Sequence, residues 1–221
     1  MRNVLKSSLV AATLIATPFA HADFLDNLSV NIGAITVAPD SGTSNIDQDP
    51  SLGLGVDSNT QLGITFDYAL NDNWVLELIA ATPFSHDISG EAGLAGADIG
   101  STKQLPPTLL AQYHFGDSNA AFRPFVGAGL NYTMFFDEQA GQDLKDTLGT
   151  DDVEIKLDDS FGLAAQIGFN YMLNEKWGIH AMASYMDIDS DAEVFADGKK
   201  ALTSTVAIDP TVFMLGMKYK F

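Results

Sequence analysis

The stretch Thr205-Val-Ala-Ile-Asp-Pro-Thr-Val-Phe-Met-Leu-Gly-Met-Lys-Tyr-Lys-Phe221 decides how the rest of the chain reads. Counting back from the end, Phe221, Tyr219, Met217, Leu215 and Phe213 share one face. Lys220, Lys218, Gly216 and Met214 share the other. A period of two is the period of a β-strand. The apolar face is too large and aromatic for a solvated sheet, and the chain ends on it. That pattern predicts the closing strand of a transmembrane β-barrel. The competing reading is an amphipathic strand of a soluble sandwich.

Working outward, seven more segments alternate in the same way. They are Leu28–Ala38, Thr60–Leu70, Trp74–Ala81, Gln104–Phe115, Arg123–Phe136, Ser160–Leu173 and Trp177–Ile188. In the second, Leu62, Ile64, Phe66, Tyr68 and Leu70 oppose Gly63, Thr65, Asp67 and Ala69. With the closing strand this makes eight strands, joined alternately by long and short connections. Outer-membrane barrels pair long external loops with short periplasmic turns. Each strand is long enough to span a bilayer, and closure leaves no unpaired edge in lipid. The third long connection, Asp137 to Asp159, has room for a short helix in its middle. Tyr113, Phe115, Tyr171, Tyr219 and Phe221 fall at strand ends, and the two tryptophans, Trp74 and Trp177, begin strands after short turns. All map to one rim, as an aromatic girdle at a membrane interface requires. A sandwich core would not cluster them there. The fold expected is therefore all-β, an eight-stranded antiparallel transmembrane barrel over residues 23–221.

Residues 1–22 read as a signal peptide. Arg2 and Lys6 precede the apolar run Leu9 to Ala16, and Ala20-His21-Ala22 fits a small-x-small cleavage site. The run is too short for a membrane helix. Taking Arg2 and Lys6 from 11 basic residues leaves 9 against 29 acidic ones, a net charge of −20. Such acidity argues against a nucleic-acid partner. With no cysteine, neither a disulfide nor thiol chemistry is available.

Several segments, in order along the chain, resemble the OmpW family of Gram-negative outer-membrane proteins. They are Ser58-Asn-Thr-Gln-Leu-Gly63, Glu77-Leu-Ile-Ala-Ala-Thr-Pro-Phe84, Leu105-Pro-Pro-Thr-Leu109, Arg123-Pro-Phe-Val-Gly-Ala-Gly-Leu-Asn-Tyr132 and Tyr185-Met-Asp-Ile-Asp189. The resemblance implies an eight-stranded barrel of the outer membrane with a narrow, largely apolar passage. It also implies uptake of small hydrophobic molecules, with sideways release into the membrane in some members. One branch is similar to alkane and aromatic-hydrocarbon importers, and another is linked to small amino acids.

An eight-stranded barrel is about wide enough to be filled by side chains or to hold one small ligand. The inward set holds many small residues, with Val75, Ile79, Leu110, Phe125, Met182, Met186, Val212 and Met214. Asp67, Glu77, Lys218 and Lys220 are inward charges near the periplasmic end, where a buried charge needs a partner. The expectation is an apolar upper lumen over a salt-bridged floor. Leu52, Leu54, Phe84 and Leu105 are candidates for the channel entrance, and Phe125, Met182 and Met214 for its lining. Pro83, Pro106 and Pro107 cannot donate to a strand ladder, so they mark a candidate lateral seam between the third and fourth strands.

No catalytic constellation stands out. His86 reads as a loop residue, and His114 and His180 as lumen residues. No His-Glu-x-x-His spacing occurs, the acidic loops lack a twelve-residue calcium pattern, and no cofactor or metal is expected. The function expected is passive passage of small hydrophobic solutes. The alternatives are a closed structural or receptor barrel whose acidic loops bind partners, phage or bacteriocins, and an outer-membrane acyltransferase or protease. Expected partners are outer-membrane lipid and lipopolysaccharide, the solutes themselves, and the barrel-assembly machinery through the C-terminal strand.

Overall fold

A computed structural model describes residues 21–40, 44–46 and 49–221. The proposed signal segment, residues 1–22, lies outside the described residues except for its last two, which begin the helix α1, His21–Asp26. The strands follow as β1 (Leu28–Ala38), β2 (Ser44–Ile46), β3 (Asp49–Val56), β4 (Asn59–Ala69), β5 (Trp74–Ala81), β6 (Phe84–Ala92), β7 (Asp98–Leu105), β8 (Thr108–His114) and β9 (Phe122–Ala140). Helix α2 (Gln142–Leu148) precedes β10 (Val153–Leu157), β11 (Ser160–Met172), β12 (Trp177–Met186), β13 (Asp189–Ala196), β14 (Lys199–Ala207) and β15 (Thr211–Lys220).

Eight of these strands close a barrel. Around the ring β11 pairs with β12, then come β15, β1, β4, β5, β8 and β9, and β9 pairs back with β11. Every neighbour is antiparallel. Closure gives each of the eight strands a neighbour on both sides, the condition for satisfying strand backbone in lipid. The outward residues form an apolar belt, with Phe161 68 % and Leu215 63 % exposed. An apolar surface this continuous marks a membrane contact. Along β5 the alternation is strict: Trp74, Leu76 and Leu78 are exposed, while Val75, Glu77 and Ile79 are buried.

The lower rim, at the short turns, carries the aromatic rings. Trp74 is in register with Tyr113, Trp177 with Tyr219 and Tyr171 with Phe122. Tyr113 meets Phe115 edge-on at 5.2 Å, and Tyr219 meets Phe221 at 5.1 Å. Trp177 and Tyr219 are 4.7 Å apart.

The strand prediction needs two corrections. The expected strand Gln104–Phe115 is two strands, since Pro106 and Pro107 have no N–H to give a ladder. Only β8 belongs to the barrel. The closing strand begins at Thr211, not Thr205, because Pro210 follows Asp209 in a left-handed conformation with φ 36°. A larger departure lies above the barrel. All four expected long loops contain strands, β2 and β3 in the first, β6 and β7 in the second, β10 in the third and β13 and β14 in the fourth, with α2 inside the third as a short helix. The upper part of β9 pairs with β7, which continues through β6 and β3 to β2. β10, β13 and β14 form a second sheet. Together they raise a collar over the barrel. Its outward side chains, such as Ser85, Asp87 and Lys103, are polar, so the collar stands clear of the lipid belt.

Candidate functional site: an apolar chamber above a closed floor

The collar strands turn their apolar sides inward on a chamber. Its mouth compartment is about 250 Å³ and is bordered by Leu54, Leu94, Ile99, Leu144, Val194 and Leu202. A second compartment of about 70 Å³ lies against it, sharing Leu54, Ile99, Ala192 and Val194, and reaches His86, Gln104 and Phe135. Cavities of about 150 Å³ hold a benzene ring, so the mouth has room for a small apolar molecule. Helix α2 stands beside it. Asp98 accepts from the Gln142 backbone N–H at 3.2 Å, and Asp143 accepts from the Asp98 N–H at 2.7 Å. Gly149 ends the helix in a left-handed conformation.

Below the chamber the barrel is filled. Val37, Phe84, Met186 and Val212 close its upper part, and Ile35, Leu110, Met182 and Met214 pack beneath them, all buried. The Phe125 ring stacks between His114, at 4.9 Å, and His180, at 5.7 Å. Gly168 makes room for it, because a Cβ there would lie 2.4 Å from the Phe125 ring. Next comes a polar layer. Lys218 pairs with Asp67 at 2.5 Å, and Asn31 donates to Asp67 at 3.0 Å and to Thr65 at 2.6 Å. Gln112 donates to Gln166, and Gln166 to Glu77, each at 2.8 Å. Beneath it a vestibule of about 270 Å³ opens at the lower rim, bordered by Ser29, Asp67, His114, Arg123, Lys218 and Lys220.

These positions revise several expectations. Leu54 borders the chamber, whereas Leu105 faces away from it, on the side opposite Gln104. Leu52 belongs to β3, and its side chain lies outside the described residues. Phe84, expected at an entrance, is fully buried under the chamber. Phe125, Met182 and Met214, expected to line a lumen, fill it instead. Lys220 is exposed at the vestibule. Pro83 and Pro107 flank a break in the ladder. Pairing between β5 and β8 stops at Ile79 with Thr108 and resumes between β6 and β7 at Phe84 with Gln104. Across the break Thr82 donates to Leu62 on β4, and Tyr132 on β9 donates to Pro107, so each side bonds outward.

His86 was expected in a loop and lies buried in β6. Its Nδ1 donates to the Asp57 carbonyl, and its Nε2 accepts from Gln104 at 2.9 Å. That arrangement suits the neutral ring, and burial pushes its pKa below the ordinary value. A base whose folded pKa is depressed binds fewer protons folded than unfolded. The collar is then fully stable above the unfolded value, roughly 6.5, and loses stability as pH falls below it. Protease cleavage of the collar should rise between about pH 7 and pH 5, and His86→Leu should flatten that dependence.

The sequence matches the model of the OmpW family over residues 26–221. The chain belongs to the OmpW family. It is 45 % identical over 226 residues to outer membrane protein W of Vibrio cholerae, covering 100 % of both chains. The crystal structure of the outer membrane protein OprG from Pseudomonas aeruginosa is 40 % identical and superposes with a TM-score of 0.80, covering 90 % of this chain and 97 % of that one. A more distant relative, 25 % identical over 86 % of each chain, is the dibenzothiophene metabolism operon protein PahQ of Pseudomonas aeruginosa. The OmpW-family chain is thus an integral β-barrel of the outer membrane. Its collar is extracellular, and its short turns and aromatic rim are periplasmic.

Proposed function

We propose that this OmpW-family barrel gives small hydrophobic molecules a passive route from the outside into the outer membrane. The observation that carries the reading is the apolar chamber standing over a packed floor. A solute that enters between Leu54, Ile99 and Val194 exchanges water for apolar walls, which is favourable per unit of apolar area. It meets Phe84, Met186 and Met182 below and cannot continue along the axis. The break at Pro83, Pro106 and Pro107 lies beside Gln104 at the chamber's lower edge, between the barrel strands β5 and β8 below and the collar strands β6 and β7 above, and we assign it as the exit. The name of the PahQ relative points the same way, since dibenzothiophene is an apolar fused-ring compound. The reading assigns passage rather than catalysis, and the concentration gradient drives it.

Residues 1–22 serve in this reading as the export signal, and β15 as the strand presented to the assembly machinery. The acidic collar faces lipopolysaccharide. Vesicles carrying the protein should take up naphthalene faster than protein-free vesicles and show no gain for a small sugar. Equal rates for both solutes would refute the reading. Replacing Pro83 with Thr and Pro107 with Val supplies two N–H donors to the break. We expect that pair to slow naphthalene uptake several-fold with the barrel intact, and unchanged uptake would remove the seam.

A further inference from the structure

We propose that Asp67, Glu77 and His180 form a binding site for a divalent first-row transition-metal ion in the barrel floor, reached from the periplasmic vestibule. The three residues come from β4, β5 and β12. β5 and β12 stand four strands apart in a ring of eight, so Glu77 and His180 face each other across the full width. Ligand atoms of all three lie within 4.8 Å of one another, and all three residues are buried.

Two of these atoms have no hydrogen-bond partner. They are Glu77 Oε1 and His180 Nε2, 3.8 Å apart, on side chains with no exposed surface. Their other atoms are already committed. Glu77 Oε2 accepts from Gln166, and His180 Nδ1 lies 2.9 Å from Asn170 Oδ1. A carbonyl oxygen only accepts, so Nδ1 carries the proton and the lone pair of Nε2 points at Glu77. Two acceptors thus face each other in a buried site, an arrangement that a cation held between them would satisfy. The bond that His180 Nδ1 donates to Asn170 Oδ1 is also the kind of outer contact that orients a metal-binding imidazole.

Two carboxylates and one imidazole suit Zn²⁺, Co²⁺, Mn²⁺ or Fe²⁺. Zinc bonds of about 2.1 Å set ligand atoms roughly 3.4 Å apart, so side-chain shifts of about an ångström close the site. Lys218, paired with Asp67, is the competing cation. Asp67 and Lys218 both border the vestibule, which gives the ion a way in.

The test uses the protein extracted in detergent from outer membranes, stripped with chelator and titrated with Co²⁺. A visible absorption band displaced by Zn²⁺ is expected, and Zn²⁺ should raise the unfolding temperature. His180→Gln and Glu77→Gln should both lose the band. Lys218→Met should bind Co²⁺ more tightly by about tenfold, the scale of effects from groups around a metal site. No band in the unaltered protein overturns the proposal. So does a band that survives both His180→Gln and Glu77→Gln, since it would then belong to surface carboxylates. If those two variants fail to reach the folded, heat-shiftable gel form, Lys218→Met decides, and unchanged affinity there refutes the site.

Discussion

Ala192→Trp is expected to reduce naphthalene uptake to the level of vesicles without protein, with the barrel still assembled. Ala192 lies on β13 and borders both compartments of the chamber. An indole there projects into open space, so it fills the route without forcing packed neighbours apart. Overpacking a filled core costs about 1–3 kcal/mol, and a cavity that accepts the ring avoids most of that. β13 also belongs to the collar, away from the closed ring of barrel strands. The check is uptake alongside heat-shifted gel mobility. Full uptake in a folded variant would mean that solutes bypass the chamber.

Asp67→Asn should cost the most stability of any single change in the floor. Lys218 is 7 % exposed and Asp67 2 %, and their ion pair joins β4 to β15 across β1. Removing one member of a buried pair strands the other charge, at about 3–5 kcal/mol. Asn31 and Thr65, which bond to Asp67 and to each other, cannot neutralise an ammonium. Denaturant unfolding in lipid vesicles would measure the loss. Adding Lys218→Met to Asp67→Asn should recover most of it, because the double change leaves no lone charge. A loss below about 1 kcal/mol for Asp67→Asn, the level of an exposed pair, would mean that water reaches the floor freely.

The barrel was legible in the sequence because lipid imposes a hard rule. Every second residue must be apolar where a strand faces hydrocarbon, and Leu62, Phe66, Leu163 and Leu215 obey it. The boundaries of β1 and β5 coincide with the alternation for that reason. The inward charges were also legible, since Asp67, Glu77 and Lys218 break the apolar pattern only on the inner face. The collar was harder to read because it stands in water on its outer side and lacks that constraint. One signal was present. Asp197 and Gly198 join β13 to β14 with φ values of 50° and 71°, and an Asp-Gly pair with both φ positive is the favoured tight hairpin turn. The alternation of Val153, Ile155 and Leu157 in β10 was a second, masked by the acids around it.

The entrance and lining residues were misplaced for a geometric reason. Alternation says which face a side chain takes, but not whether the space on that face is open. Phe125 and Met214 point inward as read, yet in a ring of eight strands they meet partners from the opposite wall and fill it. Leu105 was misjudged because the proline pair interrupts the strand beside it. The meeting of Asp67, Glu77 and His180 is 113 residues apart at its widest in sequence, and only closure brings β12 opposite β5.

Crystals soaked with iodobenzene would place a small apolar solute directly, since iodine is located by its anomalous scattering. The predicted result is iodine inside the collar, between Leu54, Ile99 and Val194. Iodine found only in the periplasmic vestibule or along the barrel axis beside Phe125, with the collar chamber vacant, would contradict the chamber as the site of passage.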